Sequence, residues 1–275
     1  MSDTRPEGLQ NIKHIVAVAS GKGGVGKSTT AVNLALAMSQ AGFKVGVLDA
    51  DIYGPSQGLM LGIAEGSHPE TMDDKWFVPI QAHGVSVMSM AFLVDANSPM
   101  VWRGPMAAGA LQQMLLQTNW GELDYLFVDM PPGTGDIQLT LCQKAQVSGA
   151  VIVTTPQDLA LLDARKGIEM FNKVNVPVLG IVENMSTHVC SQCNHEEAIF
   201  GAGGGVALAQ EYGTELLASL PLSMSIRVFV DGGTPSVVAE PTSATAQTYM
   251  KLAKTLVTKL DSTSQSMPNI SVDED

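Results

Sequence analysis

One segment restricts this chain more than any other: Gly21-Lys22-Gly23-Gly24-Val25-Gly26-Lys27-Ser28, set between the apolar run HIVAVAS and the helix-forming run TTAVNLALAM. The spacing fits G-x-x-x-x-G-K-[ST], and a strand before it with a helix after it is the context in which that spacing cradles phosphate. The glycines let the main chain curl with its N–H groups inward, and the following helix adds the positive end of its dipole. Lys27 is then placed to neutralise the β- and γ-phosphates of ATP and the Ser28 hydroxyl to help hold Mg²⁺. Gly21, Lys22, Gly23, Gly24, Val25, Gly26 and Thr29 complete the expected nucleotide contacts.

The rest of the chain supplies the sheet that such a loop needs. Short, continuous Val/Ile/Leu-rich runs at 14–20, 44–48, 85–90, 125–129, 150–154, 178–183 and 215–220 read as strands buried on both faces. They alternate with helical spacing at 29–40, 107–117, 159–174 and 243–260, and with a further helix around IQLTLCQK. The expected fold class is therefore α/β, a single P-loop NTPase domain with a mostly parallel twisted sheet and helices on both faces. It is expected to span residues 12–260, between a short lead (1–11) and a disordered acidic tail (261–275). Residues 64–78 read as irregular.

Composition narrows the partners. The formal charge is −12 with only 15 Lys and Arg, which excludes nucleic-acid binding through a broad basic face, because such binding rests on cationic side chains displacing counterions. No apolar stretch approaches the ~20 residues of a membrane-spanning helix, so no membrane partner is expected. The polar start MSDTRPEGLQNIKH has no signal-peptide pattern. With three cysteines, this predicts a cytoplasmic, reducing location in which a close cysteine pair is a metal or redox site rather than a structural disulfide.

Three carboxylates fall where phosphate chemistry needs them. Asp49 and Asp51 follow the second strand (VGVLDADIYGPS), and Asp129 ends another (YLFVDMPPGTGD). Ligands bind at the C-terminal edge of parallel sheets, so all three should gather near the phosphates. We expect Asp49 and Asp129, with Ser28, on the Mg²⁺ side, and Asp51, with Lys22 and Lys27, as the catalytic set.

GKGGVGKST resembles the deviant Walker A family that includes MinD, ParA and the nitrogenase iron protein. The resemblance implies that Lys22 reaches across a homodimer to the partner's nucleotide, that Asp51 lies in switch I and Asp129 opens switch II, and that Asn184 contacts adenine. DADIYGPS, DMPPGTGD and NMSTHVCSQCNHEEAIFGAGGG are similar to the Mrp/ApbC group of iron–sulfur cluster carriers. That likeness implies an ATPase, weak in turnover, that holds a [4Fe–4S] cluster between two subunits and passes it to apo iron–sulfur proteins. Many bacterial members carry an additional N-terminal domain, whereas about a dozen residues precede the first strand here.

Cys190 and Cys193 form one C-x-x-C, half the thiolates a typical [4Fe–4S] centre takes. A twofold dimer supplies the other half. Other readings remain open: a zinc shared across the dimer, since His188 and His195 flank the pair, or a redox pair. In function class, the alternatives are a MinD/ParA-like regulator with structural zinc and an iron-protein-like reductase. Cys142, alone on a helix, reads as packing. Arg103 is assigned either a phosphate or partner contact or a plain salt bridge.

Overall fold

Each apolar run becomes a strand, and the helices between them cover the sheet. The computed structural model describes residues 5–93, 104–190, 192–193 and 195–265; Arg103 lies outside them. After a 3₁₀ turn at Glu7–Leu9 come β1 (Ile12–Ala19), α1 (Lys27–Gln40), β2 (Val45–Asp49), α2 (Gln57–Met60), β3 (Glu70–Met72), β4 (Trp76–Val78), β5 (Ile80–Ala82) and β6 (Val85–Ser89). Then follow α3 (Gly104–Leu116), β7 (Leu123–Asp129), α4 (Asp136–Ala145), β8 (Gly149–Thr154), α5 (Asp158–Lys173) and β9 (Val178–Glu183). The C-terminal part holds β10 (His188–Val189), β11 (Glu196–Glu197), α6 (Gly204–Glu211), β12 (Leu216–Ser219), α7 (Met224–Asp231), α8 (Ser236–Ala239) and α9 (Ala244–Gln265).

Among the described residues the main sheet has eight strands in the order β12-β9-β8-β1-β7-β2-β6-β5. Every pairing is parallel except that of β5 with β6. β1 lies at the middle, flanked by β7 and β8, so the loop that leaves it emerges between two neighbours. The register matters for chemistry: Asp49 stands opposite Asp129, and Asp129 opposite Val18. Two strand-end carboxylates are thereby brought beside the start of the phosphate loop.

The strands are buried on both faces, as their unalternating sequences require. Ile15, Val16, Ala17 and Val18 of β1 and Leu126, Phe127 and Val128 of β7 are fully buried. Helix α1 is apolar almost all round, because it lies between the sheet and α9. Ala31, Ala35 and Ala37 keep that layer thin.

Two of the local features that differ from expectation stand out. Residues 70–78, read as irregular, contain the β3–β4 hairpin, with Asp73 and Asp74 at φ 54° and 50° in its turn. Aspartate tolerates that left-handed conformation better than most residues, but β3 is exposed along its length and so shows no apolar alternation. Helix α9 runs past Leu260 to Gln265, where Asp261 pairs with Lys13 at 3.3 Å and the Ser262 hydroxyl donates to the Lys259 carbonyl at 2.7 Å. The remainder of the expected tail, 266–275, lies outside the described residues. No described helix is long and apolar enough to cross a membrane.

The centre of the sheet should dominate stability. Phe127→Ala removes a fully buried aromatic from β7 and is expected to cost about 3–5 kcal/mol. The check is a lower midpoint in urea unfolding with an unchanged slope.

Candidate functional site

The phosphate loop owes its shape to glycines at two kinds of position. Gly24 and Gly26 have φ of +80° and +85°, which L side chains rarely adopt. A Cβ on Gly26 would also lie 2.1 Å from Asn184 Nδ2, and one on Gly21 would lie 2.1 Å from the Asp163 main chain in α5. The loop is thus clasped between the end of β9 and the body of α5. Gly26 caps α1 without a side-chain hydrogen bond, and no acidic residue occupies the first turn. The helix start therefore carries neither a side-chain cap nor an acidic residue of its own, which suits a phosphate subsite.

Lys27 is 6% exposed and sits among oxygens. Its Nζ lies 2.5 Å from Asp129 Oδ1, 3.9 Å from Asp51 Oδ2 and 3.2 Å from Ser28 Oγ. The lysine, the hydroxyl and two of the three sequence-predicted carboxylates therefore form one cluster. Asp49, the third, is fully buried and serves the loop beyond β2. Its Oδ2 accepts from Ser56 N (2.8 Å), Gln57 N (2.9 Å) and Ser89 Oγ (3.1 Å), and its Oδ1 from Asp51 N (3.2 Å). Burial, and then the negative charge of Asp129, push the Asp49 carboxyl up to about 7; the N–H groups of Gln57 and Ser56 and the charge of Lys27 oppose them. The donors around it give Asp49 the role of anchoring residues 51–57, whereas Asp129, equally buried, turns to Lys27, and Ser28 and Asp51 are the partly exposed oxygen bearers of the cluster.

Sequence reasoning missed Gln57. It is 0% exposed, and its Nε2 donates to Asp129 Oδ2 (2.8 Å) and to the Ser28 carbonyl (3.0 Å). A glutamine at the start of a four-residue helix carries no motif, and only its position in space reveals it.

Lys22 and Asn184 lie on the rim. Lys22 Nζ is 3.5 Å from Gln157 Oε1, at the N-cap of α5, and its carbonyl accepts from Ser20 Oγ at 2.8 Å. Asn184 is tied to β8 through Thr154 O (2.7 Å), and its Nδ2 donates to the Val25 carbonyl at 2.9 Å. Asn184 therefore buttresses the phosphate loop at the end of the adjacent strands.

Six residues beyond Asn184 stands the cysteine pair, at the tip of the β10–β11 hairpin. Cys190 is half-buried, Cys193 is exposed, and Cys190 N donates to the His195 carbonyl at 2.9 Å. The Cys190 thiol is held below its ordinary pKa by the N–H of Gln192, then by the N–H and the side chain of Cys193. That favours the thiolate, the form that binds metal. His188 is occupied in anchoring the hairpin, its Nδ1 donating to the Leu222 carbonyl at 3.1 Å. Among the described residues no three His, Cys, Asp or Glu side chains converge as metal ligands, so the hairpin offers two sulfurs from one chain. Cys142 is buried in α4, with its thiol pushed up to about 12 by burial, in keeping with a packing role.

Comparison with known proteins identifies the family. Residues 11–257 match the family model ParA, described as NUBPL iron-transfer P-loop NTPase. The chain is 68% identical over 248 residues to the iron-sulfur cluster carrier protein of Pseudomonas fragi, covering 90% of this chain and 86% of that protein. It is 58% identical over 253 residues to the protein of the same name from Escherichia coli K12, covering 92% of this chain and 68% of that one. Among solved structures, the nucleotide-binding protein of Archaeoglobus fulgidus in complex with ADP is 39% identical with a TM-score of 0.74, covering 86% of this chain and 92% of that one. Matched from its first strand into its last helix, the chain belongs to the ParA-type family of NUBPL iron-transfer P-loop NTPases.

Proposed function

We propose that this chain is a cytoplasmic ATP-binding, slowly hydrolysing homodimeric carrier that takes a [4Fe–4S] cluster as cargo on Cys190 and Cys193 of each subunit and passes it to apo iron–sulfur proteins. The observation that carries this reading is the two-sulfur hairpin on the same sheet edge as the phosphate loop, with no third ligand from the described part of its own chain. Two such hairpins around a twofold axis make a four-thiolate site. The names of the relatives, iron-sulfur cluster carrier proteins, support the same cargo. The exposed apolar side chains Tyr53, Val189, Ile199 and Met224 fit a partner subunit better than open solvent.

In this reading Gly21, Lys22, Gly23, Gly24, Val25, Gly26, Lys27, Ser28 and Thr29 hold the phosphates of ATP, and Asn184 meets the adenine. Lys27 exchanges its carboxylate partners for the β- and γ-phosphates. Ser28 and Asp129, with Asp49 behind them, present the hard oxygen ligands that suit Mg²⁺, which supplies charge neutralisation at the phosphates. Asp51, 3.9 Å from Lys27 Nζ, orients the attacking water. Lys22 gives up Gln157 and extends to the partner's nucleotide, so that dimer closure and phosphate binding become one event. Movement of residues 51–57 then alters the setting of the shared cluster.

Anaerobic reconstitution with iron and sulfide is expected to give about four irons and four sulfides per dimer, absent from the Cys190→Ala, Cys193→Ala double variant. Zinc alone, or metal indifferent to the cysteines, overturns the carrier reading and favours an ATP-switched regulator. Lys27→Ala is expected to weaken ATP binding about a hundredfold, as loss of a charge-assisted contact implies, and to retain the cluster while losing transfer to an apo-acceptor. Lys22→Ala is expected to bind ATP but to lose hydrolysis and transfer together; normal transfer by either lysine variant removes the coupling.

A further inference from the structure

Gln57 carries an unexplained feature: its side-chain oxygen is buried and has no hydrogen-bond partner among the described residues. A buried amide oxygen left unpaired is unfavourable and needs a reason. The orientation of the amide is not open to reversal. Its nitrogen faces the Asp129 carboxylate at 2.8 Å and the Ser28 carbonyl at 3.0 Å, and both of these can only accept. Turning the group over would set an oxygen against two acceptors. Oε1 is carried on the same amide and is therefore fixed next to the donor that bridges Asp129 and Ser28 in the Lys27 cluster. The main chain of Gln57 is pinned as well, its N–H donating to Asp49 Oδ2 at 2.9 Å.

A fixed acceptor at that place suits a donor that the protein itself does not supply. Waters around a divalent cation are strong donors, and Mg²⁺ keeps several of them when protein and phosphates bind it. We propose that Gln57 is a positioning residue of the metal–nucleotide site, its Nε2 aligning Asp129 with the Ser28 main chain and its Oε1 accepting a hydrogen bond from a water in the Mg²⁺ shell. This rests on the nucleotide reading above and deepens it. Gln57 opens α2, directly after the segment that Asp49 anchors. The same contact therefore ties the position of that segment to the presence of the metal.

The test compares ATP affinity, by calorimetric titration of the full chain, in excess Mg²⁺ and in EDTA. Gln57→Met keeps bulk but offers neither donor nor strong acceptor; Gln57→Glu, kept neutral by burial beside the Asp129 charge, has an O–H to donate to Asp129 and keeps a carbonyl acceptor in the place of Oε1. Gln57→Met is expected to lose about tenfold of the tightening that Mg²⁺ confers, the worth of one hydrogen bond to a charged centre. Its affinity in EDTA should stay within about twofold of the parent, and Gln57→Glu should retain the tightening. A Met variant with the full tightening overturns the assignment, and so does one weakened equally in both buffers, which marks Gln57 as packing only. If the Met variant does not fold, Gln57→Glu decides alone: retained tightening supports the assignment and lost tightening overturns it. A parent chain that binds no ATP in either buffer overturns the nucleotide reading itself, and the assignment with it.

Discussion

The site depends on the burial of Lys27 among carboxylates at the centre of the sheet. The pairing of β2 with β7 sets Asp49 opposite Asp129, and the pairing of β7 with β1 sets both beside the loop that delivers Lys27. Three carboxylates then face one ammonium, of which Asp49 and Asp129 are completely buried. Such a cluster is out of balance by its own charges. Part of the imbalance is relieved by the raised pKa of Asp49, and part by the N–H groups that converge on it. What is left is a local appetite for positive charge together with a lysine ready for a more negative partner. The proposed ligand, MgATP, would answer both needs at once, whereas as a stabilising device the cluster makes little chemical sense. Buried ion pairs seldom repay their desolvation.

The second constraint is the shared edge. β8, β9 and β12 run parallel, so their C-terminal ends lie on the side where β1 releases the phosphate loop. Asn184 leaves β9 and props Val25; Ser186 N bonds to Leu220, and Leu222 N bonds back to Thr187. These main-chain ties fix the base of the cysteine hairpin to the strand ends that support the nucleotide loop. A short, hydrogen-bonded track therefore connects the two chemistries without a hinge between domains. In the proposed homodimer, closure across this edge would act on both at the same time.

Much of the fold could be read directly because its signals are local. The unalternating runs of β1, β7, β8 and β9 announce strands buried on both faces, and the structure agrees to within a residue or two. Helix α1 ends at Gln40, with Gly42 at φ +94° just beyond it. The helices α2, α6, α7 and α8, of four, eight, eight and four residues, escaped notice because so few residues hold too little periodicity to stand out. The β3–β4 hairpin escaped because both its strands lie at or near the surface and so obey no alternation.

The residues of the candidate site divide in the same way. Gly21 to Ser28, Asp49, Asp51, Asp129 and the pair Cys190 and Cys193 announce themselves by spacing, because a loop around phosphate and a two-sulfur clip are made by neighbours in sequence. Tertiary structure alone decided how they are joined. It gave Asp49 to the loop after β2 and Asp129 to Lys27, set Asn184 under the phosphate loop, and placed Gln57 between Asp129 and Ser28 from 72 and 29 residues away. No local pattern can encode those contacts, since each depends on strand order and register across the sheet, which arise only when distant segments bury their apolar faces together.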